Sequence, residues 1–123
     1  MIVATTRETF PGERRVALVP MSAAQLVKNG LEVRIEAGAG LSAGFPDALY
    51  TDKGAAVVSR DEALAADCLL QVRAGGADPQ GAAALAASLR AEQVVIAMCD
   101  PLGAPGDARA IADKRATLFS LEL

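Results

Sequence analysis

Charge and turn-forming residues are concentrated between Arg7 and Pro20, in the run Arg-Glu-Thr-Phe-Pro-Gly-Glu-Arg-Arg-Val-Ala-Leu-Val-Pro. Five charged side chains, Arg7, Glu8, Glu13, Arg14 and Arg15, surround a Pro-Gly turn between two apolar runs. Charge held between buried segments loses hydration unless it is paired or meets a ligand. Three further charged residues follow apolar runs: Arg73 after Cys68 to Val72, Asp100 after Val94 to Cys99, and Glu122 near the end. A guanidinium presents a rigid fork of donors suited to a carboxylate or phosphate. On residue type alone two readings stand side by side. Arg15 and Arg73 either bind an anionic ligand or pair with Glu13, Asp100 or Glu122 to shape loops.

Parallel strands would place these residues together, because ligands in open α/β sheets meet the carboxyl ends of the strands. The pattern predicts such a sheet. Apolar runs at Met1–Thr5, Leu31–Glu36, Ala55–Val58, Cys68–Val72, Gln93–Met98 and Thr117–Leu123 alternate with helical segments. That alternation implies parallel strands joined by right-handed crossovers, a three-layer α/β domain (Rossmann-like or flavodoxin-like) with helices on both faces. Helices are expected from Pro20 to Gly30, with Ser22 and Gln25 as an alternative cap, and from Pro46 to Lys53. Others are expected from a Ser59/Glu62 capping box to Ala66, from Pro79 (after Asp78) to about Ala91, and from Pro105. The expected core is Val3, Val16, Leu18, Leu26, Val33, Ile35, Leu69, Leu70, Val95, Ile96 and Leu118.

Gly38-Ala39-Gly40-Leu41-Ser42-Ala43 formally matches G-x-G-x-x-A after a strand, the pattern that cradles a dinucleotide pyrophosphate. Pro46 follows too soon, since proline suits the start of a new helix and not the interior of one already running. Gly38 and Gly40 are therefore read as loop positions needing unusual backbone angles, and no cofactor-binding residue is assigned within the chain.

Composition narrows the function. Of 123 residues, 52% are hydrophobic and 3% aromatic, so the core is expected to be Ala, Val, Leu and Ile, and the composition speaks against disorder. A net charge of −3 speaks against a nucleic-acid surface, which needs a basic face. Two Cys and no His exclude the usual zinc ligand sets. Cys68 and Cys99 lie in apolar runs and are expected as buried free thiols, which suits the cytoplasm. No apolar run approaches the ~20 residues that span a bilayer, and no signal peptide is evident.

The charged loop also carries a resemblance. Glu13-x-Arg15-Val16-Ala17-Leu18-x-Pro20 after Arg7-Glu8 resembles the opening of the alanine dehydrogenase and nicotinamide nucleotide transhydrogenase family. The resemblance continues through Gly30-Leu31-Glu32-Val33, Glu36 to Gly40, Phe45-x-Asp47, Tyr50 and Gly54-Ala55. It resumes at Asp67 to Val72, Asp100 to Gly103 and Ser120 to Leu123, and so covers nearly the whole chain. The resemblance implies a subdomain, residues 1–123, that faces an NAD-binding Rossmann domain downstream. In the alanine dehydrogenase branch a residue matching Arg15 would hold the substrate carboxylate, a lysine would match Arg73, and a histidine would follow the strand ending near Met98. This chain has Arg73 and no histidine, so alanine deamination is disfavoured.

The transhydrogenase branch passes hydride between two nicotinamide rings and needs no such histidine. The resemblance to it implies the first subdomain of an NAD(P) transhydrogenase α subunit, cut at the end of a strand, with Arg15, Arg73, Asp100 and Glu122 as cleft residues. It implies NAD and NADP as cofactors of the parent protein, with none bound by this part alone and no hydride transfer by it. The partners implied are the NAD-binding domain, the NADP-binding and membrane parts and a second copy, on the cytoplasmic side without direct membrane insertion. The alternative is a stand-alone binding or assembly module with the same fold.

Overall fold

A computed structural model describes residues 1–122. Six parallel strands form one sheet: β1 (Ile2–Thr5), β2 (Glu32–Glu36), β3 (Ala56–Val58), β4 (Cys68–Arg73), β5 (Val94–Met98) and β6 (Thr117–Ser120). Their order is β3-β2-β1-β4-β5-β6, and every neighbouring pair is parallel. The sequence order thus reverses direction at β1/β4, which opens a crevice at the carboxyl ends of those two strands.

The helices are α1 (Pro20–Lys28), α2 (Asp47–Thr51), α3 (Arg60–Leu64), α4 (Ala82–Ser88) and α5 (Pro105–Asp113). Pro20 occupies the first position of α1, where its missing N–H costs nothing, and Val19 stands before it without a side-chain cap. The Ser59/Glu62 capping box forms as expected: the Glu62 carboxylate accepts the Ser59 N–H at 2.9 Å, and the Ser59 hydroxyl accepts the Glu62 N–H at 3.3 Å.

The helix expected from Pro79 to Ala91 is shorter, and its ends have identifiable causes. Asp78 accepts the Gly81 N–H at its carbonyl (3.1 Å) and at its carboxylate (3.3 Å), closing a turn over Pro79 and Gln80 before α4 begins. At the other end Leu89 is extended (ψ 148) and buried, and the Arg90 N–H bonds the Gln93 side chain instead of continuing the helix. The last strand stops at Ser120, and Leu123 lies outside the described residues.

Two apolar clusters hold the layers together. On one face Val16, Leu18, Val33, Ile35, Tyr50 and their neighbours pack under α1 and α2. On the other Ala4, Leu69, Val95, Ala97, Cys99 and Ile111 pack under α3, α4 and α5. Burying each Val, Leu or Ile side chain among them contributes ~1.5–3 kcal/mol. Of the expected core, Leu26, Leu70, Ile96 and Leu118 are only partly buried. Ile96 departs most clearly, because its face of β5 carries no helix.

The Gly38–Ala43 segment is a compact turn ending in a 3-10 turn at Leu41–Ala43. Gly38 is left-handed (φ 80), and its N–H donates to the Asp47 carboxylate at 2.8 Å. A Cβ on Gly40 would stand 2.7 Å from the Phe45 carbonyl and 2.7 Å from the Tyr50 hydroxyl, so close approach of buried parts requires glycine there. Pro46 stands at the N-cap immediately before α2 with φ −61, the value its ring fixes.

Candidate functional site

The loop leaving β1 is tied down by its own acids. β4 is irregular between Leu70 and Arg73, which frees two backbone N–H groups from the ladder. The Glu8 carboxylate accepts both, from Val72 at 2.6 Å and from Arg73 at 3.1 Å. Burial pushes the Glu8 carboxyl above its ordinary value, against the opposite pull of those two N–H groups. Thr9 adds a second tether, its hydroxyl donating to the buried Asp78 carboxylate.

Glu13 is the electrostatic centre. Its side chain is 5% exposed, and its Oε1 accepts Arg15 Nη2 at 2.6 Å and Arg73 Nε at 2.9 Å. Its Oε2 accepts Arg15 Nε at 3.0 Å and the Arg15 backbone N–H at 3.1 Å. The Arg15 guanidinium, followed by that of Arg73, holds the Glu13 carboxyl far below the usual carboxylate range, although burial opposes them. Arg73 is fixed on two further sides. Its guanidinium lies 4.0 Å over the Phe10 ring, and its Nη1 donates to the Ala77 carbonyl at 3.4 Å.

At the exit of β5, Asp100 lies in the left-handed region (φ 46), which an aspartate tolerates better than most residues. Its N–H donates to the Glu122 carboxylate at 2.6 Å, joining the exits of β5 and β6. Its own carboxylate accepts the Gly103 N–H at 3.2 Å.

All four residues singled out in the sequence, Arg15, Arg73, Asp100 and Glu122, line one open cleft of about 660 Å³. The parallel sheet brings them together because each lies at or beyond the carboxyl end of a different strand. The loop-shaping and ligand-facing readings of the arginines are both satisfied in part. Each pairs with Glu13, neither with Asp100 nor Glu122, and both still face the cleft. Two arginines share the single Glu13, and two further carboxylates, Asp100 and Glu122, line the same cleft. Such a surface can orient a ligand that carries an acceptor at one end and a donor or cation at the other.

Sequence reasoning missed Phe10, Met98 and Pro79, which supply the apolar lining, and the bracing role of Glu8. Phe10 had a signal, as one of three phenylalanines and placed inside a charged loop. Both cysteines are free and buried, Cys99 with its thiol pushed up to about 11 chiefly by burial. Among the described residues no group of three or more His, Cys, Asp or Glu is arranged to hold a metal ion. No helix among them is long and apolar enough to cross a membrane.

A doubly wound α/β domain with a charged cleft at its topological reversal defines the class. Within that class, residues 4–123 match the family model "Alanine dehydrogenase/PNT, N-terminal domain", and the chain belongs to that family. The NAD(P) transhydrogenase subunit alpha of Cereibacter sphaeroides is 47% identical over 75 residues, 59% of this chain and 14% of the relative. Alanine dehydrogenase 1 of Staphylococcus aureus is 36% identical over 73 residues, 59% of this chain and 20% of the relative. Among solved structures, a transhydrogenase from Sinorhizobium meliloti superimposes with a TM-score of 0.88 at 36% identity. That superposition covers 98% of this chain and 34% of the other. An L-alanine dehydrogenase gives 0.87 at 26% identity, covering 98% and 32%. The chain thus spans about a third or less of the length of each of these oxidoreductases.

Proposed function

We propose that this chain is the first domain of an NAD(P) transhydrogenase α subunit and forms one wall of the cleft where hydride passes between NAD(H) and NADP(H). The observation that carries this reading is the convergence of Arg15, Arg73, Asp100 and Glu122 on one cleft at the sheet's carboxyl edge. Hydride transfer between two nicotinamide rings asks the protein for position and electrostatics, not for a proton shuttle. The cleft fits that demand. Arg73 is clamped by Glu13, Phe10 and the Ala77 carbonyl, and the chain has no histidine to serve as a base. Alanine deamination, which needs acid–base chemistry, is correspondingly disfavoured.

The adenosine and pyrophosphate of the nucleotide are assigned to a Rossmann domain elsewhere in the longer protein, and the NADP-binding and membrane parts are its further partners. The Gly38–Ala43 turn supports this division. The N–H groups of Gly38, Ala39, Leu41 and Ala43 all bond acceptors within the domain, which leaves them unavailable to a phosphate. Held in one wall only, the two rings are not aligned, and lost positioning alone removes up to ~7–11 kcal/mol of barrier lowering.

The test is calorimetry with NADH on the 123-residue chain and on a protein carrying the sequence downstream of Leu123. Millimolar or weaker binding to the short chain is expected, with tight binding and transhydrogenation by the longer protein. In the longer protein Arg15→Ala is expected to lower turnover. Micromolar binding by the short chain would overturn the division of the site, and alanine deamination by the longer protein would overturn the activity.

A further inference from the structure

Arg73 meets the cleft with much of its bonding capacity already committed. Its Nε donates to Glu13 at 2.9 Å and its Nη1 to the Ala77 carbonyl at 3.4 Å. One planar face lies on the Phe10 ring, 4.0 Å from the ring centroid. With Nε engaged, the side edge of the guanidinium cannot make the paired N–H contact that grips a carboxylate or phosphate. The side chain is nevertheless 30% exposed and lines the cleft. What it leaves to a ligand is the second planar face, opposite Phe10, and the tips of its Nη groups.

The charge around it does not call for an anion either. Arg15 and Arg73 share Glu13, and Asp100 and Glu122 line the same cleft, so three carboxylates stand against two guanidiniums. An anion would meet no positive excess there. Phe10, Met98, Ala77 and Pro79 add apolar lining. A flat, uncharged ring suits such a surface, because a guanidinium plane stacks on a π system and a thioether packs well at a ring edge.

We infer that Arg73 is the stacking platform for the dihydronicotinamide ring of NADH, with Phe10 as the layer beneath it. The inference rests on the reading of the cleft as one wall of a transhydrogenase site, and deepens it by giving the ring a plane to rest on in place of a charge to pair with. Glu13 and the Ala77 carbonyl are positioning groups. They fix two sides of the plane, so little side-chain freedom is lost when a ring settles on it. The Gly75–Ala77 turn that carries this carbonyl is itself pressed against the exit of β5. A Cβ on Gly76 would collide with the Ala104 side chain and stand 3.0 Å from the Cys99 carbonyl. The platform is thus built into the carboxyl edge of the sheet before any ligand arrives.

Calorimetry on the longer protein tests this with two probes, NADH and ADP-ribose, which keeps the adenosine and pyrophosphate but has no nicotinamide ring. Arg73→Lys keeps the charge and removes the plane, whereas Phe10→Leu keeps the guanidinium and removes the layer beneath it. Each is expected to weaken NADH binding by roughly 3- to 30-fold, the range of a cation–π contact, and to leave ADP-ribose binding unchanged. Equal losses for the two probes would reduce Arg73 and Phe10 to a general structural role and overturn the platform. Unchanged NADH binding in either variant would overturn it as well, while leaving the proposed function in place. A native longer protein that binds neither probe would remove the proposed function, and the platform with it.

Discussion

Replacing Glu13 with Gln probes the centre of the cleft wall with almost no change in shape. The carboxylate accepts four hydrogen bonds, two from the Arg15 side chain, one from the Arg15 backbone and one from Arg73. An amide keeps one acceptor oxygen and turns a donor toward the other guanidinium, so the charge that holds two arginines together is lost. For the Arg73 contact, hydrogen bonds to charged groups are worth about 1.5–3 kcal/mol. Arg73 is 30% exposed, and solvent screening brings that toward the ~1 kcal/mol of a surface pair. A loss of ~1–2 kcal/mol in Glu13→Gln lowers Tm by roughly 3–8 °C for a domain of this size.

The pH dependence sharpens this test. Arg15, then Arg73, hold the folded-state Glu13 carboxyl below its unfolded value of ~4.3. A lowered carboxyl contributes stability that is fully present above the unfolded value and is lost as pH falls through the folded one. The stability difference between the native chain and Glu13→Gln is therefore expected to be full at pH 7 and to shrink below about pH 4. Urea denaturation at pH 7, 5 and 3 measures it. A difference that stays constant across those three values would refute the assignment of Glu13 as the ionised anchor.

Other outcomes follow from the same geometry. Tyr50 is fully buried and its hydroxyl donates to the Leu18 carbonyl at 2.7 Å, so Tyr50→Phe is expected to cost ~1–3 kcal/mol in urea denaturation. A cost below about 0.5 kcal/mol, the size of a neutral surface change, would mean that Leu18 finds another donor. Cys99 is 1% exposed and burial raises its thiol to about 11, so its labelling by a thiol reagent at pH 8 is expected to require opening of the fold. Labelling at the rate of an exposed thiol would contradict that.

The charged residues of the cleft were legible in the sequence; its apolar lining was not, and the mutual arrangement was only partly so. Alternating apolar runs, proline positions and the Ser59/Glu62 spacing are local signals. They sufficed for a parallel sheet that brings the exits of four strands to one edge. The partners of Arg15 and Arg73 were not legible, because Glu13, Asp100 and Glu122 are equally good carboxylates and only distance chooses among them. The choice fell on Glu13 because Glu8, bound to the irregular end of β4, pulls the charged loop over Arg73.

Two further features were decided by the tertiary structure alone. Gly81 closes a turn on Asp78, itself held by Thr9 from a distant loop, and this cuts short a helix that local propensity alone would extend. Ile96 sits in an apolar run like that of any buried strand, yet its face is bare because α1 and α2 lie over the other half of the sheet. Local sequence specifies which residues form a strand and where it ends. Which of its two faces is covered depends on where the crossover helices land, and that is a property of the assembled sheet.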